Sequence, residues 1–137
     1  MEILIKKDDI QSRVRRIAKD IVLEHKDSGN ILPPVVVCVL NGGFMFFSDL
    51  VKQITIPIEI DFIRCKSYYG KKQGDLVITK DLETKIKHKH VYLVDDILDS
   101  GNTMKAVSNF LQVKEPKSIT PVIAIYKENG DFDKVLH

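Results

Sequence analysis

The residues best suited to chemistry stand in one run, Val91-Tyr92-Leu93-Val94-Asp95-Asp96-Ile97-Leu98-Asp99-Ser100-Gly101-Asn102-Thr103-Met104. It is an apolar stretch that ends in two carboxylates and then breaks into a small polar turn. Val91 to Val94 read as a buried strand, and Thr103, Met104, Ala106, Val107, Phe110 and Leu111 have the three-to-four-residue spacing of an amphipathic helix. The turn from Asp99 to Thr103 therefore lies at a helix N-terminus. There the first backbone N–H groups have no intrahelical partner and the helix dipole is positive. A phosphate can be held by that main chain and by the Ser100 and Thr103 hydroxyls, with Gly101 letting the backbone come close. Carboxylates repel such an anion, so Asp95 and Asp96 need other partners: sugar hydroxyls, or a hard oxygen-seeking cation such as Mg²⁺. At the carboxyl end of a strand they stand where open parallel sheets place their ligands. The combination suits a phosphorylated ribose. A helix cap alone would account for Asp99, Ser100 and Gly101, but strand, acidic pair and turn in succession exceed what a cap requires.

The same run resembles the 5-phosphoribosyl-1-diphosphate (PRPP) signature of type I phosphoribosyltransferases, two acidic residues followed three positions later by Asp-Ser/Thr-Gly-x-Thr. Two further segments resemble the hypoxanthine-guanine branch of that family. Val37-Cys38-Val39-Leu40-Asn41-Gly42-Gly43-Phe44-Met45-Phe46-Phe47-Ser48-Asp49-Leu50 is similar to its first strand, diphosphate loop and following helix. Asp61-Phe62-Ile63-Arg64-Cys65-Lys66-Ser67-Tyr68-Tyr69-Gly70 is similar to its second strand and the start of its mobile catalytic loop. Ile10 to Lys26 resembles the opening helix and Ile119 to Lys127 the last sheet strand, so the likeness covers nearly the whole chain.

The resemblance implies a reaction in which a 6-oxopurine, hypoxanthine or also guanine, displaces diphosphate from PRPP to give a nucleoside monophosphate. Asp99 is then the general base near purine N7, and Asp99, Ser100, Gly101, Asn102 and Thr103 hold the 5′-phosphate. Asp95 and Asp96 take the ribose hydroxyls and the Mg²⁺ shell, and their charge favours a cationic sugar. Asn41, Gly42, Gly43 and Arg64 would meet the diphosphate, and the peptide before the residue matching Asn41 is often cis in the family. Many relatives carry lysine at that position, so here the main-chain contacts alone carry over. Ser67 and Tyr68 would close over the site, and Lys127 would contact the purine 6-oxo group. Relatives continue beyond that lysine through a stacking aromatic and a second metal carboxylate; in this chain that hood segment is expected to be largely absent, and Asp131-Phe132-Asp133 reads as a solvated tail. Purine recognition is accordingly expected to be weaker than PRPP recognition. Two rivals remain: a PRPP-binding regulator or degenerate homologue without efficient catalysis, and an enzyme of the same fold acting on another base. An assay with each purine discriminates them.

Composition agrees with one compact enzyme domain over residues 1–137, because 137 residues at 44% hydrophobic content can bury one core. A net charge of +2 does not mark a nucleic-acid partner. The basic cluster Arg64, Lys66, Lys71, Lys72, Lys80, Lys85, Lys87 and Lys89 reads as a solvated face, Arg64 excepted. Cys38 reads as a buried small hydrophobe, both it and Cys65 as reduced thiols, and the histidines lack zinc spacing. Neither a signal peptide nor a membrane span is expected, which points to the cytoplasm.

Along the chain, Ile10, Val14, Ile17, Ala18, Ile21 and Val22 predict a helix ending near Gly29, with Pro33-Pro34 before a strand Val35 to Leu40. A helix Phe44 to Gln53, a strand Ile58 to Ile63 and a short hairpin strand Leu76 to Thr79 follow. Next come a strand His90 to Asp96, a helix Thr103 to Val113 and a strand Ile119 to Lys127. The alternation predicts an α/β, doubly wound, mostly parallel sheet in three α/β/α layers, the type I phosphoribosyltransferase fold that the resemblance also implies. The resemblance further implies a homodimer or homotetramer whose interface lies near the first loop, and the apolar run Phe44 to Phe47 exceeds one buried helix face, so all four are expected to be partly interfacial.

Overall fold

A computed structural model describes residues 7–67, 76–98 and 102–126. Its elements are α1 (Lys7–Ser28), β1 (Val35–Leu40), α2 (Phe44–Gln53), β2 (Glu59–Ser67), β3 (Leu76–Lys80), β4 (His90–Leu98), α3 (Asn102–Gln112) and β5 (Ser118–Tyr126). The strands form one sheet in the order β3-β2-β1-β4-β5. β1 runs parallel to both β2 and β4, β5 runs parallel to β4, and β3 alone is antiparallel, against β2.

β1 explains why the sheet has two covered faces. Its sequence VVVCVL has no polar position, and Val35 to Val39 are all buried, as a strand enclosed on both sides requires. Alternate residues then serve different layers. Val36 and Cys38, with Tyr92 and Val94 of β4, pack against Val14, Ile17, Ala18 and Ile21 of α1 and Phe46, Phe47 and Leu50 of α2. Val35, Val37 and Val39, with Val91 and Leu93, pack against Met104, Val107 and Leu111 of α3.

The connection leaving β1 thus passes over one face through α2, and the one leaving β4 passes over the other through α3. The strands are laid down to one side of β1 and then to the other, so the strand order reverses between these two parallel neighbours, and the crevice outside their carboxyl ends is where open α/β sheets bind ligands.

The expected layers and mostly parallel sheet are present, and α2 has the expected bounds. Two strands run longer than the hydrophobic pattern predicts. β2 continues from Ile63 to Ser67 because its far half is paired by β3, with Cys65, Lys66 and Ser67 opposite Ile78, Val77 and Leu76. β4 continues past Asp96 because Ile97 and Leu98 pair with Ile125 and Tyr126. α1 ends beside Gly29, whose φ of +71° is the left-handed conformation that commonly stops a helix.

One expectation is corrected. Phe46 and Phe47 are core residues of their own chain, with Phe47 3% exposed and its ring 5.4 Å from that of Phe62. Only Phe44 and Met45, 50% and 73% exposed, point away from the sheet. The run Phe44 to Phe47 wraps around the helix, so half of it faces the core and half does not.

Candidate active site

Parallel register places the functional segments at one end of the sheet. Leu40, the last residue of β1, lies opposite Arg64 of β2, and Cys38 lies opposite Val94, one residue before Asp95. The turn leaving β1 begins with a cis peptide between Leu40 and Asn41, as the resemblance implied. Asn41 and Gly42 are exposed, whereas Gly43 is buried. The Gly43 N–H donates back to the Val39 carbonyl at 3.4 Å, Phe44 N–H donates to the Asn41 carbonyl at 3.4 Å, and the Gly43 carbonyl accepts the Phe47 N–H at 2.9 Å as α2 begins. Groups free to meet a ligand therefore lie at Asn41 and Gly42, and the backbone of Gly43 is turned inward.

Gly43 sits directly against the strand that carries the acidic pair. A Cβ built on it would lie 3.1 Å from the Asp95 Cα and 3.2 Å from the Val94 carbonyl oxygen. The first loop and the carboxyl end of β4 thus share one floor. Asp95 is half-buried, pairs in the backbone with Ile123, and has further partners of its own. Its charge reaches Cys65, also half-buried at the end of β2. Burial, and after it the nearby Asp95 carboxylate, push the Cys65 thiol above its usual pKa. That coupling places an anionic Asp95 within electrostatic reach of β2, and it makes Cys65 a poorer nucleophile than an ordinary thiol.

Arg64 is half-buried, and its carbonyl accepts the Thr79 hydroxyl at 3.3 Å. Between Arg64 and Cys65 the pairing with β3 shifts register, a local irregularity of the kind that re-aims side chains near functional sites. Thr103 is half-buried in the first turn of α3, which starts at Asn102 and is anchored by buried Met104 and Val107. Asp96 continues β4, and Ser67 ends β2. Asp99, Ser100, Gly101, Tyr68 and Lys127 lie outside the described residues.

Sequence reasoning gave no role to Asp61, a carboxylate only 5% exposed near the start of β2. Its Oδ1 accepts the Phe62 N–H at 2.7 Å, and its Oδ2 accepts the N–H groups of Glu83 and Thr84, each at 2.8 Å. Lys80 Nζ stands 3.8 Å from Oδ1 and also donates to the Phe62 carbonyl at 2.9 Å. Burial alone would raise the Asp61 pKa, but the N–H donors of Thr84, Phe62 and Glu83 and the charge of Lys80 outweigh it and hold the carboxyl below its usual value. Asp61 thereby ties the segment after β3 to β2, the strand that also carries Arg64. The legible signal was a carboxylate inside a strand between Ile60 and Phe62, where an unpaired charge would be costly.

The phosphoribosyl transferase domain model matches residues 5–135. The hypoxanthine-guanine-xanthine phosphoribosyltransferase of Tritrichomonas foetus is 42% identical over 93% of this chain and 68% of its own length. The hypoxanthine phosphoribosyltransferase of Salmonella typhimurium is 38% identical over 87% of this chain and 67% of its own. Among solved structures, the hypoxanthine phosphoribosyltransferase of Staphylococcus aureus superposes with a TM-score of 0.83 at 33% identity, covering 93% of this chain and 68% of that one. The Trypanosoma cruzi enzyme in complex with its product IMP gives 0.84 at 29% identity, covering 93% and 72%. The chain therefore belongs to the phosphoribosyltransferase family, and within it to the hypoxanthine phosphoribosyltransferase branch of purine salvage. It spans about two thirds of the length of these curated relatives.

Proposed function

We propose that the protein transfers the 5-phosphoribosyl group of PRPP to a 6-oxopurine, hypoxanthine or also guanine, releasing diphosphate and forming IMP or GMP. The observation that carries this reading is the contact of Gly43 with the backbone of Asp95 and Val94. It brings an exposed main-chain turn and a strand-end carboxylate together at the crevice between β1 and β4, where a phosphorylated sugar with two anionic ends needs both. Relatives named for this chemistry, one solved with IMP, support the choice of substrates.

In this reading purine N9 bonds to the anomeric carbon as the bond from that carbon to diphosphate breaks. The proton released from the purine passes to the Asp99 carboxylate near N7. Asp95 and Asp96 accept the ribose hydroxyls and lower the energy of the positive charge that develops on the sugar. The 5′-phosphate lies in the turn Asp99 to Thr103, at the N-terminus of α3. Asn41 and Gly42 offer N–H groups to the diphosphate, Arg64 supplies positive charge, and Ser67 with Tyr68 closes over the site to exclude water. Lys127 donates to the 6-oxo group and disfavours adenine.

Carboxylates at a strand end also suit Mg²⁺, which is commonly held by one or two of them plus substrate oxygens. Asp95 and Asp96 would hold the ion, and the chemistry it supplies when bound is neutralisation of charge on the diphosphate. We further assign residues 1–137 to a single phosphoribosyltransferase domain, working in the cytoplasm as a homodimer or homotetramer. No described helix is long and apolar enough to cross a membrane, and the exposed Phe44 and Met45 would contribute to a subunit interface.

The test is an assay with Mg²⁺, PRPP and each of hypoxanthine, guanine, xanthine and adenine. Turnover with hypoxanthine and none with adenine is expected. PRPP binding without turnover of any base would overturn the catalytic assignment and leave a PRPP-binding protein.

A further inference from the structure

Gly43 precedes α2 with φ −79° and ψ −1°, a conformation open to any residue. Its lack of a side chain is therefore not a matter of backbone freedom. Space decides it: a Cβ would stand 3.1 Å from the Asp95 Cα, 3.2 Å from the Val94 carbonyl oxygen and 3.3 Å from the Val39 carbonyl oxygen. All three are backbone atoms of the two central strands, so no flexible side-chain end can swing aside. Nor can the helix on the other side retreat freely, since Phe46, Phe47 and Leu50 fix α2 in the core. What can give is the exposed turn formed by Asn41 and Gly42.

We propose that Gly43 is a positioning residue for PRPP. Its bare backbone seats the Leu40–Gly43 turn on the end of β4, which sets the spacing between the groups that meet the diphosphate and the carboxylates that meet the ribose. The inference rests on the reading under Proposed function. One substrate spans both features, so their separation must stay within its reach, whereas the purine does not bridge them. A change at Gly43 therefore acts on PRPP and not on the base.

The test is Gly43→Ala, with PRPP affinity measured by calorimetric titration and Michaelis constants measured separately for PRPP and hypoxanthine. A displacement of a few tenths of an ångström is expected to raise the PRPP dissociation constant and KM about tenfold, a fraction of the loss a 1 Å misplacement brings. The hypoxanthine KM should stay within about twofold and the melting temperature within a few degrees, as the exposed Asn41 and Gly42 can shift to make room for the methyl group. If the unaltered protein fails to bind PRPP, the functional reading falls and this inference with it. If the unaltered protein binds PRPP, three results overturn the positioning role alone: unchanged PRPP affinity in the variant, a hypoxanthine KM that rises in step, or a variant that does not fold.

Discussion

Replacing Asp61 by asparagine tests whether the buried carboxylate holds the β2 edge of the sheet together. The side chain keeps its shape but loses its charge and one acceptor. With its oxygen turned to the two N–H groups of Glu83 and Thr84, the amide nitrogen faces the Phe62 N–H, which then has a donor where it had an acceptor at 2.7 Å. One charge-assisted hydrogen bond is lost outright, about 1.5–3 kcal/mol, and the other two weaken. Lys80 retains the carbonyls of Phe62 and Asp81, so no stranded cation is added to the loss. About 2 kcal/mol of destabilisation is expected, a fall in melting temperature of roughly 7 °C for a chain of this length. Asp61→Ala, which removes both acceptor oxygens and with them all three hydrogen bonds, should cost about twice as much, with water making up part of the loss at the exposed Glu83. The pH dependence gives a second check. The folded carboxyl has the lower pKa, so acidification protonates the unfolded chain first. Asp61's contribution is therefore complete above the unfolded value, about 3.9, and is lost as pH falls through the folded value. Urea melts of both proteins from pH 7 to pH 3 should show a gap that is constant at neutral pH and closes with acid. A full-length gap that persists at pH 3, or an asparagine variant as stable as the original at pH 7, refutes the reasoning.

Asp99→Asn is expected to lower kcat by about a hundred- to ten-thousandfold while PRPP affinity holds, as pre-steady-state turnover and calorimetry would show. Asp95→Asn combined with Asp96→Asn should weaken Mg²⁺-dependent PRPP binding and leave the melting temperature nearly unchanged; equal affinity with and without Mg²⁺ in the double variant would assign the pair to the fold instead. At the opposite end of the sheet, His90 titrates below its usual value because of burial, then His25, with Lys117 adding to the effect and Glu24 opposing it. The fold thus prefers the neutral ring, whose Nδ1 meets the Ser118 hydroxyl at 2.5 Å. The unfolded chain takes up the proton first as pH falls below about 6.5, so stability should drop from there to the folded value, and His90→Gln should flatten urea-melt stability between pH 7.5 and 5.5.

Much of the fold was legible because its strands and helices obey different hydrophobic periods. The unbroken Val35 to Leu40 run required cover on both faces, and helices on either side supply it. What stayed hidden were consequences of pairing. Nothing in the polarity of Arg64 to Ser67 marks them as strand; β3 makes them so by supplying hydrogen-bond partners. In the same way Phe46 and Phe47 look like surplus apolar surface until Phe62 and the strand layer are set beneath α2.

The site divides along the same line. Motif chemistry named the loop after β1 and the acidic end of β4 because residue type and spacing along the chain are sequence properties. Their contact across the sheet is not. It depends on β1 and β4 being neighbours, on parallel register that brings Cys38 level with Val94, and on a turn that brings Gly43 back over Asp95. A glycine chosen for left-handed backbone would announce itself by a turn, but Gly43 has ordinary dihedrals and is needed only for the room it leaves. Two segments that look like separate binding motifs in sequence are, in the fold, one surface with a single adjustable dimension. That is why a methyl group at Gly43, which removes no polar group, is a sharper probe of this site than the loss of an exposed contact.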